Sequence, residues 1–179
     1  MGLYPTPVTV VGTVLENGRV NFLTIAHVGV TEHKRLLISV DKGHALSDAA
    51  IAKNGVVSVS LVNREMLEAV DYCGIAKGAK EDKSTVFAHR FDELEKAPII
   101  EKAPLCMTCR IIKTVEVGSF HNYILQPVHT YVQEEYINEK GKIDYASMKP
   151  ILFEFQNLNY LETGAIAGKC WNIGKNYKK

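Results

Sequence analysis

The sequence predicts a mainly β fold, a Greek-key-type β-barrel carrying two or three helices, and three observations lead there. An Asn17-Gly18 pair stands between the apolar runs Pro7–Leu15 and Val20–Val28. Asn-Gly at such a place marks a tight hairpin, because both residues tolerate the positive φ that the turn needs. Val56 to Val62 alternates with period two, the pattern of a half-buried strand. Leu105–Val117 and Tyr123–Gln133 are long β-prone runs separated by a short turn, an antiparallel pair. Antiparallel strands with a few helices assemble as a barrel of this type.

Taken in order, the opening hairpin spans Pro7–Leu15 and Val20–Val28, and Leu36–Val40 is a short buried strand. Ser47–Lys53 reads as a helix with Ser47 as N-cap and Asn54-Gly55 as stop. After the strand at Val56–Val62, Asn63 caps a second helix from Arg64 to Tyr72 that Gly74 ends; Met66, Leu67 and Val70 share one face. Lys77–Asp92 is charged, a loop with a short helix. Pro127 lacks an N–H and so marks an edge or bulge in its strand. Ile143–Met148 is a turn or short helix, Ile151–Phe155 the last strand, and the segment from Tyr160 to Lys179 a loop. No repeat or linker divides the chain, so one domain over residues 1–179 is expected.

Composition excludes several function classes. With 21 basic and 20 acidic residues the net charge is +1, which offers no footprint for nucleic acid or an anionic membrane. No apolar run approaches the roughly 20 residues of a membrane span. The N-terminus lacks the basic-then-apolar pattern of a secretory signal, so a cytoplasmic protein is expected. The four cysteines, Cys73, Cys106, Cys109 and Cys170, are then expected free and reduced. Cys106 and Cys109 are three apart in a strand and point to opposite faces, which suits structural thiols better than a disulfide or chelate. The six histidines show no metal spacing, and no metal is expected. There is no G-x-S-x-G elbow, P-loop or G-x-G-x-x-G.

The segment Asn21 to His27 carries most of the functional information. Asn21, Thr24 and His27 interrupt an apolar strand, and Ala26 and Gly29 keep its end small. Such a strand lets a flat polar ligand approach the backbone. Ser47 at a helix start offers a hydroxyl and free amides to a phosphate, although a serine there is ordinarily only a cap. Lys42, His44 and Lys83 are cations that would neutralise it.

Together these segments resemble the FMN-binding split β-barrel of the flavin reductase and flavoredoxin family. The resemblance runs from Pro7 to Tyr177 and is carried by Asn21-x-x-Thr24-Ile25-Ala26, by Ile51–Gly55 with its following strand, and by Ala69-Val70-Asp71-Tyr72-Cys73-Gly74 with Gly78 and Asp82-Lys83. Ala97-Pro98-Ile99-Ile100-Glu101, Ala103-Pro104-Leu105 with Cys109, and Gly118-Ser119 with His121 continue it. The chain departs from the family pattern at His27, where relatives often carry Trp, and at Ala45, Lys77, Ser84 and Gln126-Pro127.

The resemblance implies FMN as cofactor and an oxidoreductase, either a flavin reductase using NADH or NADPH or a flavoredoxin-like carrier served by a redox partner protein. It also implies a homodimer. The cofactor-binding set is Asn21, Thr24, Ile25, Ala26, His27, Ser39, Lys42, His44, Ser47, Ser60, Cys73, Gly74 and Lys83. No side-chain acid or base is required for hydride or electron transfer to a flavin, so His27 is the sole catalytic candidate. The alternative is a non-catalytic split-barrel module holding FMN, haem or another flat ligand as store or sensor. A pyridoxamine-phosphate-oxidase-like enzyme shares the barrel, but Asp71-Tyr72-Cys73-Gly74 argues against it.

Overall fold

The computed structural model describes residues 2–177; Met1, Lys178 and Lys179 lie outside the described residues. The chain runs β1 (Thr6–Pro7), β2 (Thr9–Val14), β3 (Val20–Ile25), β4 (Val28–Glu32), β5 (Arg35–Asp41), α1 (Ala45–Asn54), β6 (Val56–Leu61) and α2 (Leu67–Ile75). It continues β7 (His89–Arg90), β8 (Ile99–Ile100), β9 (Leu105–Val117), β10 (Phe120–Val132), α3 (Tyr145–Met148), β11 (Ile151–Glu154) and β12 (Asn159–Glu162).

Seven strands pair antiparallel in the order β3-β2-β6-β9-β10-β5-β4. The two outermost strands, β3 and β4, are joined only by Ala26-His27, so the sheet must curl back on itself. His27 O accepts from Ser39 N at 2.9 Å, which carries the β4–β5 ladder one residue into that link.

Strand alternation builds two apolar cores. Val11, Leu23, Ile38, Val40, Val57, Val59, Cys109, Tyr123 and Leu125 point inward from six strands, and Ile51 of α1 plugs them. Their neighbours Val10, Phe22 and Cys106 face outward and are covered by Val70 and Cys73 of α2, by Ile99 and by Ile151. β2 is therefore buried on both faces, its threonines Thr9 and Thr13 included. Cys106 and Cys109 belong to different cores, as their spacing predicts, and all four cysteines are free.

Several boundaries differ from expectation, each for a local reason. The strand expected to run to Val28 stops at Ile25, because the chain crosses the barrel seam at Ala26-His27. Helix α1 begins at Ala45 rather than Ser47: Asp41 Oδ1 accepts from Gly43 N and starts a 3-10 turn over Lys42–His44 that runs into it. Gly55, at φ +68°, ends α1 as expected. α2 passes through Gly74 to Ile75, and Asn63 makes no capping bond; a 3-10 turn over Arg64–Met66 precedes the helix instead.

Lys77–Asp92 contains no helix, only turns and the short strand β7 that pairs with β8. The segment after Tyr160, expected as loop, begins within β12, where Tyr160 pairs with Phe153. Pro127 does sit at a bulge of β10, beyond Leu125 where pairing to β5 ends.

Candidate functional site

The seam where β3 hands over to β4 opens a cavity of about 220 Å³ lined by Thr24–His27, Ser39–Asp41, His44 and Phe120. A second cavity, about 240 Å³, is lined by Leu23, Gly43–Ser47, Gly74–Ala79 and Lys83. His44 lines both, so the two form one trough. Together they reach the range of about 300–1,000 Å³ typical of small-molecule sites. Nine of the residues singled out from sequence line it: Thr24, Ile25, Ala26, His27, Ser39, His44, Ser47, Gly74 and Lys83.

Four do not. Lys42 turns outward, where its Nζ pairs with Glu116. Ser60 is fully buried on β6, and its hydroxyl has no partner. Cys73 is fully buried in the outer core, where desolvation pushes its thiol up to about 11. Asn21 is buried beneath the trough; its Nδ2 donates to Ser47 Oγ at 2.9 Å, linking β3 to α1. A Cβ on Gly78 would lie 2.7 Å from Asn21 Oδ1, so glycine there lets the 77–80 turn close over this pair.

The lining groups divide by what they have left to offer. Ser39 Oγ donates to Asn122 Oδ1 at 2.6 Å, and Thr24 Oγ1 donates to Val70 O at 2.5 Å, fastening β3 to α2. Both hydroxyl protons are thus taken within the chain. The His27 ring packs edge-on against Phe120 with centroids 5.4 Å apart, and its Nε2 lies 3.2 Å from Tyr4 OH. Asp41 is fixed by Gly43 N and by the Ser119 hydroxyl, and these bonds hold its carboxyl below the usual range.

Lys83 is the unusual member. It is only 2% exposed, and its Nζ donates to Cys73 O and Ala76 O, each at 3.2 Å. Among the described residues no carboxylate pairs with it, and burial pushes its amine below the usual range. A buried ammonium held by two helix-end carbonyls still has a third proton and an unmatched charge. Lys83 lines the same cavity as Ser47 and the first turn of α1. A cation, a hydroxyl and a ten-residue helix's N-terminal amides form a natural seat for an anion.

Two other features stand apart. A cavity of about 300 Å³ lined by Arg90, Ile99, Cys106, Tyr131 and Gln133 contains none of the sequence candidates. Asp92, Glu93 and His129 converge closely enough to hold a metal ion, but Asp92 already accepts from Leu94 N, Thr108 Oγ1 and Tyr131 OH, while His129 pairs with Glu93. Sequence reasoning missed Asp41 and Phe120, which face each other across β5 and β10. The Asp41-x-Gly43 spacing was a usable signal for a capped turn; nothing local announced Phe120.

Residues 1–161 match the family described as the flavin reductase like domain. The chain belongs to that family. Flavoredoxin from Methanosarcina acetivorans is 31% identical and superposes with a TM-score of 0.91, covering 97% of this chain and 92% of that one. Flavoredoxin of Desulfovibrio vulgaris (Miyazaki F), at 24% identity and TM-score 0.89, covers 97% and 95%. An FMN-binding protein from Thermus thermophilus, at 20% identity and TM-score 0.78, covers 90% and 88%. The last two establish the fold alone, the split barrel. Among curated protein sequences none matches this flavin reductase-like chain. No helix of its described residues is long and apolar enough to cross a membrane.

Proposed function

We propose that this chain binds FMN in the trough and acts as a flavoredoxin-like oxidoreductase, taking electrons from NADH, NADPH or a protein donor. The observation that carries this reading is Lys83, a buried cation with no carboxylate partner among the described residues, lining the cavity beside Ser47 and the start of α1. That cavity suits a phosphate, and the seam cavity suits a flat polar ring. Backbone groups of Ile25, Ala26 and His27 at the end of an edge strand supply donors and acceptors along one side. The family match supports the flavin, and the 31% identity to a flavoredoxin supports the carrier version over the reductases.

When bound, the flavin supplies the redox chemistry. The protein's part is to seat, shield and tune it. Lys83 and Ser47 hold the anionic end, Phe120 and Ile25 wall the seam, and fixed backbone amides stabilise negative charge on a reduced ring. His27, held by Tyr4 and Phe120, is the candidate for tuning or substrate contact. A homodimer and a redox partner protein complete the proposal.

The visible spectrum of the purified protein, followed by cofactor extraction, tests the class. A colourless protein that gains no flavin spectrum on adding FMN would overturn it. With flavin bound, steady-state oxidation of NADH and NADPH separates the versions: turnover supports a reductase, and no turnover with either leaves a protein donor.

A further inference from the structure

Helix α1 serves the fold and the site at once: Ile51 plugs the inner core, and the first turn lines the anion cavity. That turn carries Asp48, an acid next to Ser47 and only 7% exposed. A carboxylate aimed into the cavity would repel an anion, yet Asp48 is not among the described residues that line it. Its oxygens are taken elsewhere. Tyr123 OH donates to Asp48 Oδ1 at 2.5 Å, and His121 Nδ1 lies 2.7 Å from Asp48 Oδ2. A carboxylate only accepts, so Nδ1 carries the proton of that bond. On its other side His121 Nε2 lies 3.8 Å from Glu116 Oε2, and Glu116 in turn pairs with Lys42. Among the described residues no lysine or arginine pairs with Asp48.

Both partners of Asp48 come from β10, whereas Ser47 is tied to Asn21 of β3. β3 and β10 stand four places apart in the seven-stranded sheet, so α1 is fastened from two sides of the barrel. One residue along a helix is about 100° of rotation. Two ties at adjacent positions therefore fix the roll of the first turn as well as its depth.

We propose that Asp48, clamped by Tyr123 and His121, is a positioning residue for the anion seat. It holds Ser47 and the first-turn amides of α1 at the cavity and keeps its own charge turned to β10. This role rests on the flavin reading above and reaches beyond the trough. Tyr123 is fully buried in the inner core and is not among the described residues lining either cavity, so it acts on a ligand there through Asp48.

Tyr123→Phe removes one hydroxyl and leaves the ring packed. Flavin fluorescence titrations of the full-length protein with FMN and with riboflavin, beside urea unfolding, read the outcome. FMN should bind Tyr123→Phe about 3- to 10-fold more weakly, the factor of a single hydrogen bond, and riboflavin should bind as before. Asp48→Ala should lose roughly 10-fold or more for FMN, and Asp48→Asn, which keeps an acceptor for Tyr123, should regain most of it.

Plain repulsion between Asp48 and the phosphate predicts the opposite sign. Tighter FMN binding by both Asp48 variants would overturn the positioning role. Equal losses for FMN and riboflavin, which report a general loosening of the fold, or no loss in Tyr123→Phe, would overturn it too while leaving the flavin reading intact. A parent protein that takes up neither flavin overturns the trough reading itself, and the positioning role with it.

Discussion

Replacing Lys83 with methionine isolates the anion-binding half of the proposed site. The side chain is nearly the same length and is already buried, so the substitution removes a charge and its donors with little change of volume. Stability should move little. Two bonds to Cys73 O and Ala76 O are lost, but so is the cost of keeping a desolvated ammonium without a carboxylate.

Flavin affinity should move more. A hydrogen bond to a charged partner contributes about 1.5–3 kcal/mol, so FMN should bind Lys83→Met about 10- to 150-fold more weakly. Riboflavin, which has the same ring and no phosphate, should bind both proteins alike. Flavin fluorescence titrations with both ligands give the four constants needed. Equal losses for FMN and riboflavin, or no loss for either, would show that Lys83 serves only as a cap on α2.

Three further outcomes test the same structure. Thr24→Val should lower stability in urea unfolding by about 1 kcal/mol, because the hydroxyl fastens β3 to Val70 O; unchanged stability with a tenfold loss of FMN affinity would place the hydroxyl on the ligand instead. Gly78→Ala forces a methyl against Asn21 Oδ1 and should cost about 1–3 kcal/mol while loosening FMN, and a variant as stable as the parent would mean that the Asn21–Ser47 pair does not depend on that turn.

Above pH 9, stability should fall. Burial raises the Cys73 thiol from 9.0 to about 11 and Cys109 to about 12, so the folded state keeps protons that the unfolded chain releases. Each thiol then withdraws about 2–3 kcal/mol by pH 11, partly offset by Lys83, whose lowered amine works in the opposite direction. Denaturation of Cys109→Ala as a function of pH should show a shallower decline, and an identical slope would refute the assignment.

The sequence by itself determined the longer strands, because their signals are local, while β4, β7, β8 and β12 were not read from it. An Asn-Gly turn, period-two alternation from Val56 and the unbroken run from Leu105 to Val117 need no tertiary context to be read. Most of the trough was legible as well, since nine of the singled-out residues line one cleft although they lie as far apart in sequence as Thr24 and Lys83. What the tertiary structure alone decided is which way each side chain points and what it meets.

Lys42 and Lys83 look alike as letters. One finds Glu116 on a neighbouring strand and leaves, while the other is trapped under a helix end with no acid to meet. Thr24 finds a carbonyl on α2, and His27 finds Phe120 and Tyr4, partners 93 and 23 residues away that no local pattern announces. Strand identity is written in spacing along the chain. The charge and reach of a binding site depend on packing between distant segments, which emerges only when the barrel closes.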